Sequence, residues 1–140
     1  MIRRQAKYTR FSMLFLLISM ASVVIGIVIV LALGIGFPGG VIAFVVPMAS
    51  GMIVGQWQYE ETGVVPEGRE LWIDALRYAA IGLGVTFLMA VPGFLAPSNA
   101  DILSDIGVLG FVAITGVLFV VCLLAVRLGL GLGMKAGKNK

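Results

Sequence analysis

Every lysine and arginine of this chain lies between or beyond four apolar runs, and none lies inside one. Arg3, Arg4, Lys7 and Arg10 precede the first run, Arg69 and Arg77 separate the second from the third, and Arg127, Lys135, Lys138 and Lys140 follow the fourth. The remaining two connections carry no cation. In hydrocarbon a backbone must satisfy its own N–H and C=O groups, so uncharged runs of about 20 residues are read as helices. Short cation-rich segments stay on the cytoplasmic side. The pattern therefore predicts an all-α, polytopic membrane protein with four transmembrane helices and both termini inside.

Composition agrees. The 140 residues are 60% hydrophobic and 12% charged, with mean hydropathy +1.09, whereas soluble domains carry about 25% charged residues. Four spans use up the length, leaving no room for a soluble catalytic domain. The net charge of +3 is scattered in small juxtamembrane groups, which read as topology signals and lipid contacts and not as a nucleic-acid footprint. With no histidine and one cysteine, a Cys/His metal site and an intramolecular disulfide are excluded. Cys122 sits among Val and Leu, where a thiol is a packing residue of low reactivity.

The first span is placed at 11–33. A basic start, an apolar stretch and Ser19 and Ala21 resemble a secretory signal, but hydrophobicity continues unbroken to Leu33, which favours an uncleaved helix. The run GIGFPGG from Gly34 to Gly40 breaks that helix. The second span, 41–57, contains Pro47 and is the shortest. As a re-entrant loop it would leave the cationic C-terminus outside, so four crossings are preferred. The loop 58–77 is the main charged segment, and from Glu67 onward it reads as an amphipathic stem: Glu67, Glu70, Asp74 and Arg77 on one face, Leu71, Trp72, Ala75 and Leu76 on the other. The third span is 78–95. After an acidic outer connection, Asp101 or Ser104 caps the fourth span, 106–126. The glycine-rich tail from Arg127 is expected to fray.

Three groups of residues stand out. Ala43, Pro47, Gly51 and Gly55 lie four apart on one stripe, and Ser22 and Gly26 repeat the spacing in the first span. Small residues so placed let helices approach closely. The stripe reads either as packing between the first two helices or as a docking face for another subunit. Tyr8, Trp57, Tyr59, Trp72 and Tyr78 mark the inner interface, the level amphipathic rings prefer. Finally Glu60, Glu61, Glu67, Glu70 and Asp74, against only Arg69 and Arg77, make the inner loop acidic. That cluster is either a solvated loop with local pairs such as Asp74 with Arg77, or a contact surface for a basic partner or a divalent cation. The regular oxygen spacing of a calcium loop is missing, as are a phosphate loop, a nucleophile–base pair and a dinucleotide fingerprint. No catalytic residue, cofactor or metal is assigned.

Ion-coupled transport needs an ionisable group in the membrane, and the four spans hold none. Small multidrug exporters depend on a carboxylate in their first span, where this chain has only Ser12, Ser19 and Ser22. The segment from Val45 to Ala79 resembles the central part of a family of small, uncharacterised bacterial membrane proteins of about this length, through Gly51, Gly55, Trp57, Gly63, Pro66, Glu70 and Trp72. Val64 and Glu67 stand where that family often carries Arg and Ser or Thr. The resemblance implies four helices in a bacterial inner membrane and supplies no activity. The expectation is a non-enzymatic accessory or assembly subunit whose partners are the bilayer and another membrane protein or a second copy of itself. The competing reading is an oligomeric transporter or channel lined by Ser22, Ser50, Gln56 and Thr86.

Overall fold

The structure, a computed structural model, describes residues 2–34, 39–66, 68–94 and 100–139. Among these, four helices follow in order: α1 (Ile2–Leu33), α2 (Gly39–Thr62), α3 (Gly68–Phe94) and α4 (Ala100–Lys138). α1 and α2 end in the same way. Gly34 and Gly63 take φ of 64° and 65°, and their amides donate to the carbonyls of Val30 and Tyr59 at 3.0 and 2.7 Å. This is the left-handed C-terminal cap that glycine adopts without a Cβ penalty. α3 opens at Gly68 with Glu70 in its first turn, where an acid favours the positive end of the helix dipole. Stem and third span are thus one continuous helix. Glu67 lies outside the described residues.

Among the described residues three helical segments are long and apolar enough to cross a membrane: Lys7–Leu33, Gly68–Ala90 and Asp105–Lys138. The described part of α2 is not among them; its last turns are polar, with Gln56, Gln58, Glu60, Glu61 and Thr62. Its 24 residues still make a rod of about 36 Å.

The tightest interface joins α2 to α4. A Cβ added to Gly51 would fall 2.9 Å from the Val126 carbonyl oxygen, and one on Gly55 would press on Leu130. From the other side, a Cβ on Gly129 or Gly133 would overlap the carbonyl oxygens of Met48 and Met52, and Gly137 lies against the Tyr59 ring. Contact positions rise together along both helices, so α2 and α4 run parallel. Backbones this close gain dispersion contacts along their length and bring Cα–H groups to carbonyl oxygens.

Three expectations change here. Gly51 and Gly55 pack on α4 and not on α1. The tail does not fray: helix continues to Lys138, because Gly129, Gly133 and Gly137 are the surface onto which α2 closes. α4 also begins earlier than expected, so Asp101 and Ser104 lie inside it. Its axis is interrupted at Gly107, whose φ of 62° and ψ of 173° are non-helical.

The core gathers toward the end of the bundle where the chain's charges lie. Phe11, Ala75, Tyr78, Ala79, Val126, Leu130 and Met134 are buried there, and Gly82 lets α1, α3 and α4 meet, a Cβ there falling 3.0 Å from the Phe15 ring and 3.4 Å from the Cys122 Sγ. Leu31 of α1 and Val108 and Leu109 of α4 are exposed. On a membrane-spanning helix such side chains face lipid, which is as apolar as they are.

Candidate functional site

Two cavities are separated by a ladder of aromatic rings. Tyr8 meets Tyr78 edge to face at 5.7 Å, Tyr78 meets Phe11 at 4.5 Å, and Phe11 meets Phe15 at 5.8 Å. The helical spacing of Tyr8, Phe11 and Phe15 brings all three rings to the α3 side of α1. Tyr78 is buried at the centre, a core residue where the sequence suggested an interfacial anchor. Trp57 and Trp72 remain exposed; Tyr59 is half-buried beneath Gly137.

The inner cavity, about 320 Å³, is lined by Lys7 and Tyr8 of α1, Gln58 of α2, and Glu70, Ile73, Asp74, Arg77 and Tyr78 of α3. α3 supplies Glu70, Asp74 and Arg77 at positions four and three apart, which puts them on one face. Arg77 donates from Nη1 to the Tyr8 hydroxyl at 3.1 Å and stands 3.9 Å from the Asp74 carboxylate. Gln58, 8% exposed, donates from Nε2 to the Tyr78 hydroxyl at 3.0 Å, while its Oε1 has no hydrogen-bond partner. However the amide is turned, Tyr78 engages one end and the other is left over.

The second cavity, about 420 Å³ and open on one side, is lined by all four helices: Phe15, Ser19 and Val23 of α1, Ile42, Ala43, Val46 and Pro47 of α2, Leu83, Thr86, Met89 and Ala90 of α3, and Leu118 and Cys122 of α4. It is mostly apolar. The Thr86 hydroxyl donates to the Gly82 carbonyl at 2.9 Å, and Pro47 withholds a helix donor from the Ala43 carbonyl. Of the four residues proposed to line a path, only Thr86 reaches this cavity. Ser50 donates to the Val46 carbonyl at 2.8 Å, and Gln56 donates to Glu60 at 3.0 Å.

The remaining predicted residues divide clearly. Gly51 and Gly55 are buried in the α2–α4 contact and Pro47 is buried beside them, whereas Ala43 and Ser22 are half-buried and Gly26 is buried within α1. Glu60, Glu61 and Glu70 are exposed. Arg10 reaches across from α1 to Glu61, Nη1 to Oε1 at 3.0 Å, with both side chains about half exposed. Asp74 is drawn into the inner cavity instead of facing outward. The acids therefore form two groups, one around Glu60 and Glu61 at the end of α2 and one along α3.

Sequence reasoning missed Gln58, whose burial depends on a neighbour twenty residues away. It also missed Arg127, whose guanidinium lies 5.3 Å from the centre of the Trp72 ring, a cation–π distance. The glycine run of α4 carried a usable signal. Gly129, Gly133 and Gly137 have the same four-residue spacing as Gly51 and Gly55. No family model, curated protein or solved structure matches the chain.

Proposed function

We propose that this chain is a non-enzymatic, four-span protein of a bacterial cytoplasmic membrane that serves as an accessory or assembly subunit. The observation carrying the reading is the segregation of exposed charge. Glu60, Glu61, Glu70, Lys135 and Lys138 are all exposed at one end of the bundle beside Trp57 and Trp72, whereas beyond them the exposed side chains of the long helices are mainly apolar, with Asp105 the one exposed charge there among the described residues. A polar, ring-flanked patch on one end suits a partner that docks from the cytoplasm or presents its own charged loop there. Since α2 runs parallel to α4 in backbone contact, it is taken as the fourth span, and both termini then lie inside. The small-residue stripe is engaged within the fold, so the partner surface is assigned to Glu60, Glu61 and Glu70 alone.

Cross-linking followed by purification in mild detergent tests this. A stable hetero-complex that is lost on Glu60→Lys with Glu70→Lys is expected. If the same complex survives both reversals, the assignment is wrong. Gly51→Leu is a poor probe, since it separates α2 from α4. The second cavity favours one other reading, passage or storage of a lipophilic solute, because all four helices contribute to its wall. Solute flux through a purified homo-oligomer in vesicles would favour that reading over an accessory role.

A further inference from the structure

We propose that the inner cavity between α1 and α3 binds the zwitterionic head group of a membrane phospholipid, a primary ammonium joined to a phosphodiester. The inference rests on α1 and α3 being membrane spans. The argument begins with the order of chemistry along α3. Glu70 and Asp74 come first, Arg77 next, and Ala80 and Ile81 follow one turn deeper. Tyr8 and Arg77 line both the 320 Å³ cavity and a shallow groove that continues over Ala80 and Ile81. From water toward hydrocarbon the surface thus reads carboxylate, cation, apolar groove. An ethanolamine-type phospholipid reads ammonium, phosphate, acyl chain in the same direction.

The charges also match in number. Lys7 on α1 and Arg77 on α3 face the cavity with Glu70 and Asp74, so a ligand with one positive and one negative group leaves the site neutral. Arg77 stands 3.9 Å from Asp74 and 3.1 Å from the Tyr8 hydroxyl; a guanidinium has five N–H donors and a carboxylate about four acceptor positions, so each can take a ligand beside the partners it has. Gln58 contributes the independent observation: nine-tenths buried in the same wall, it carries an amide end with no partner, which offers its oxygen to an ammonium N–H or, with the amide turned over, its N–H to a phosphodiester oxygen. A simple anion would use Lys7 and Arg77 and leave the carboxylates and the groove without a role. Two sources offer this chemistry, a membrane lipid and free phosphoethanolamine. The groove over Ala80 and Ile81 favours the lipid.

The test reconstitutes the full chain in vesicles containing equal ethanolamine- and glycerol-head-group phospholipids, re-extracts it in mild detergent, and measures retained lipid by native mass spectrometry. The ethanolamine lipid should be enriched about fivefold. Lys7→Gln with Arg77→Gln should lose both lipids, whereas Lys7→Arg should retain them. Glu70→Gln with Asp74→Asn should abolish the preference while leaving the glycerol lipid bound. Equal retention of both lipids by the wild-type chain, or enrichment unchanged in these variants, overturns the proposal. So does competition by soluble phosphoethanolamine at the potency of the lipid, which would show that the groove plays no part. Circular dichroism of each variant identifies any that fails to fold, and Lys7→Arg against Lys7→Gln still decides the matter. Lys7 is outside the acidic patch assigned to the protein partner, so loss of lipid with an intact complex, or the reverse, tells the two proposals apart.

Discussion

Gly133 of α4 lies so close to Met52 of α2 that a single added methyl would overlap the Met52 carbonyl oxygen. Backbone meets backbone there, and neither side has a flexible side chain that can move aside.

Gly133→Leu and Gly129→Leu should each destabilise the bundle by about 1–3 kcal/mol or more, the cost of overpacking a close contact. Gly116→Ala and Gly84→Ala, where an added Cβ meets nothing within 4 Å, should be neutral or slightly stabilising because alanine is the better helix former. Unfolding in mild detergent titrated with dodecyl sulfate measures both pairs.

Tyr78→Phe removes the hydroxyl that meets the Gln58 Nε2 and leaves a buried amide with both ends unpaired. A loss of about 1 kcal/mol is expected. Adding Gln58→Leu should recover most of it, since an apolar replacement of both partners removes the desolvation penalty. A double mutant no more stable than Tyr78→Phe would contradict this account of the pair.

The Arg10–Glu61 bridge is long in sequence and conspicuous in space, yet its side chains are 60% and 48% exposed. Solvent and salt screen such pairs, so Glu61→Gln should cost about 0.5 kcal/mol or less, falling further at high salt. A double-mutant cycle with Arg10→Gln isolates the pairwise part.

Topology is open to single-cysteine labelling in a Cys122→Ala background. Leu33→Cys and Asp105→Cys should react with an impermeant maleimide from outside the cell, and Val64→Cys and Lys138→Cys only after permeabilisation. Leu33 and Val64 reacting from the same side would show that α2 does not cross.

In the wild-type protein Cys122, buried with its Sγ 3.9 Å from the Ala79 carbonyl, should resist a small maleimide in the folded state. It should react once dodecyl sulfate opens the α3–α4 contact, which makes it a native reporter for the other measurements.

Helices were legible in the sequence because hydrocarbon leaves the backbone few choices: an uncharged apolar run must bond to itself. One local end was legible for a similar reason, at Gly34, where only a residue without Cβ takes φ of 64° cheaply. Asp74 and Arg77 could be paired from their spacing alone. Two things resisted such reading. The apolar moment that places a helix face in a soluble protein is weak in a span, where lipid-facing and core-facing residues are equally apolar. Gln58 had no local sign of burial, since its partner Tyr78 arrives with another helix.

The sequence by itself determined that this chain is helical and apolar enough for a bilayer, and that its cations group at the segment ends; it predicts four spans, of which three are long and apolar enough among the described residues. Those properties come from transfer energies of single residues, which add along the chain. Which helices pair was decided only in three dimensions. Gly51 and Gly55 could have met any small-residue face, and it is the matching spacing of Gly129 and Gly133, brought alongside in parallel, that selects α4. The same packing turns Asp74 and Gln58 into one cavity with Lys7. A site of that kind exists only where distant segments converge, because no stretch of the chain holds its charges and its walls together.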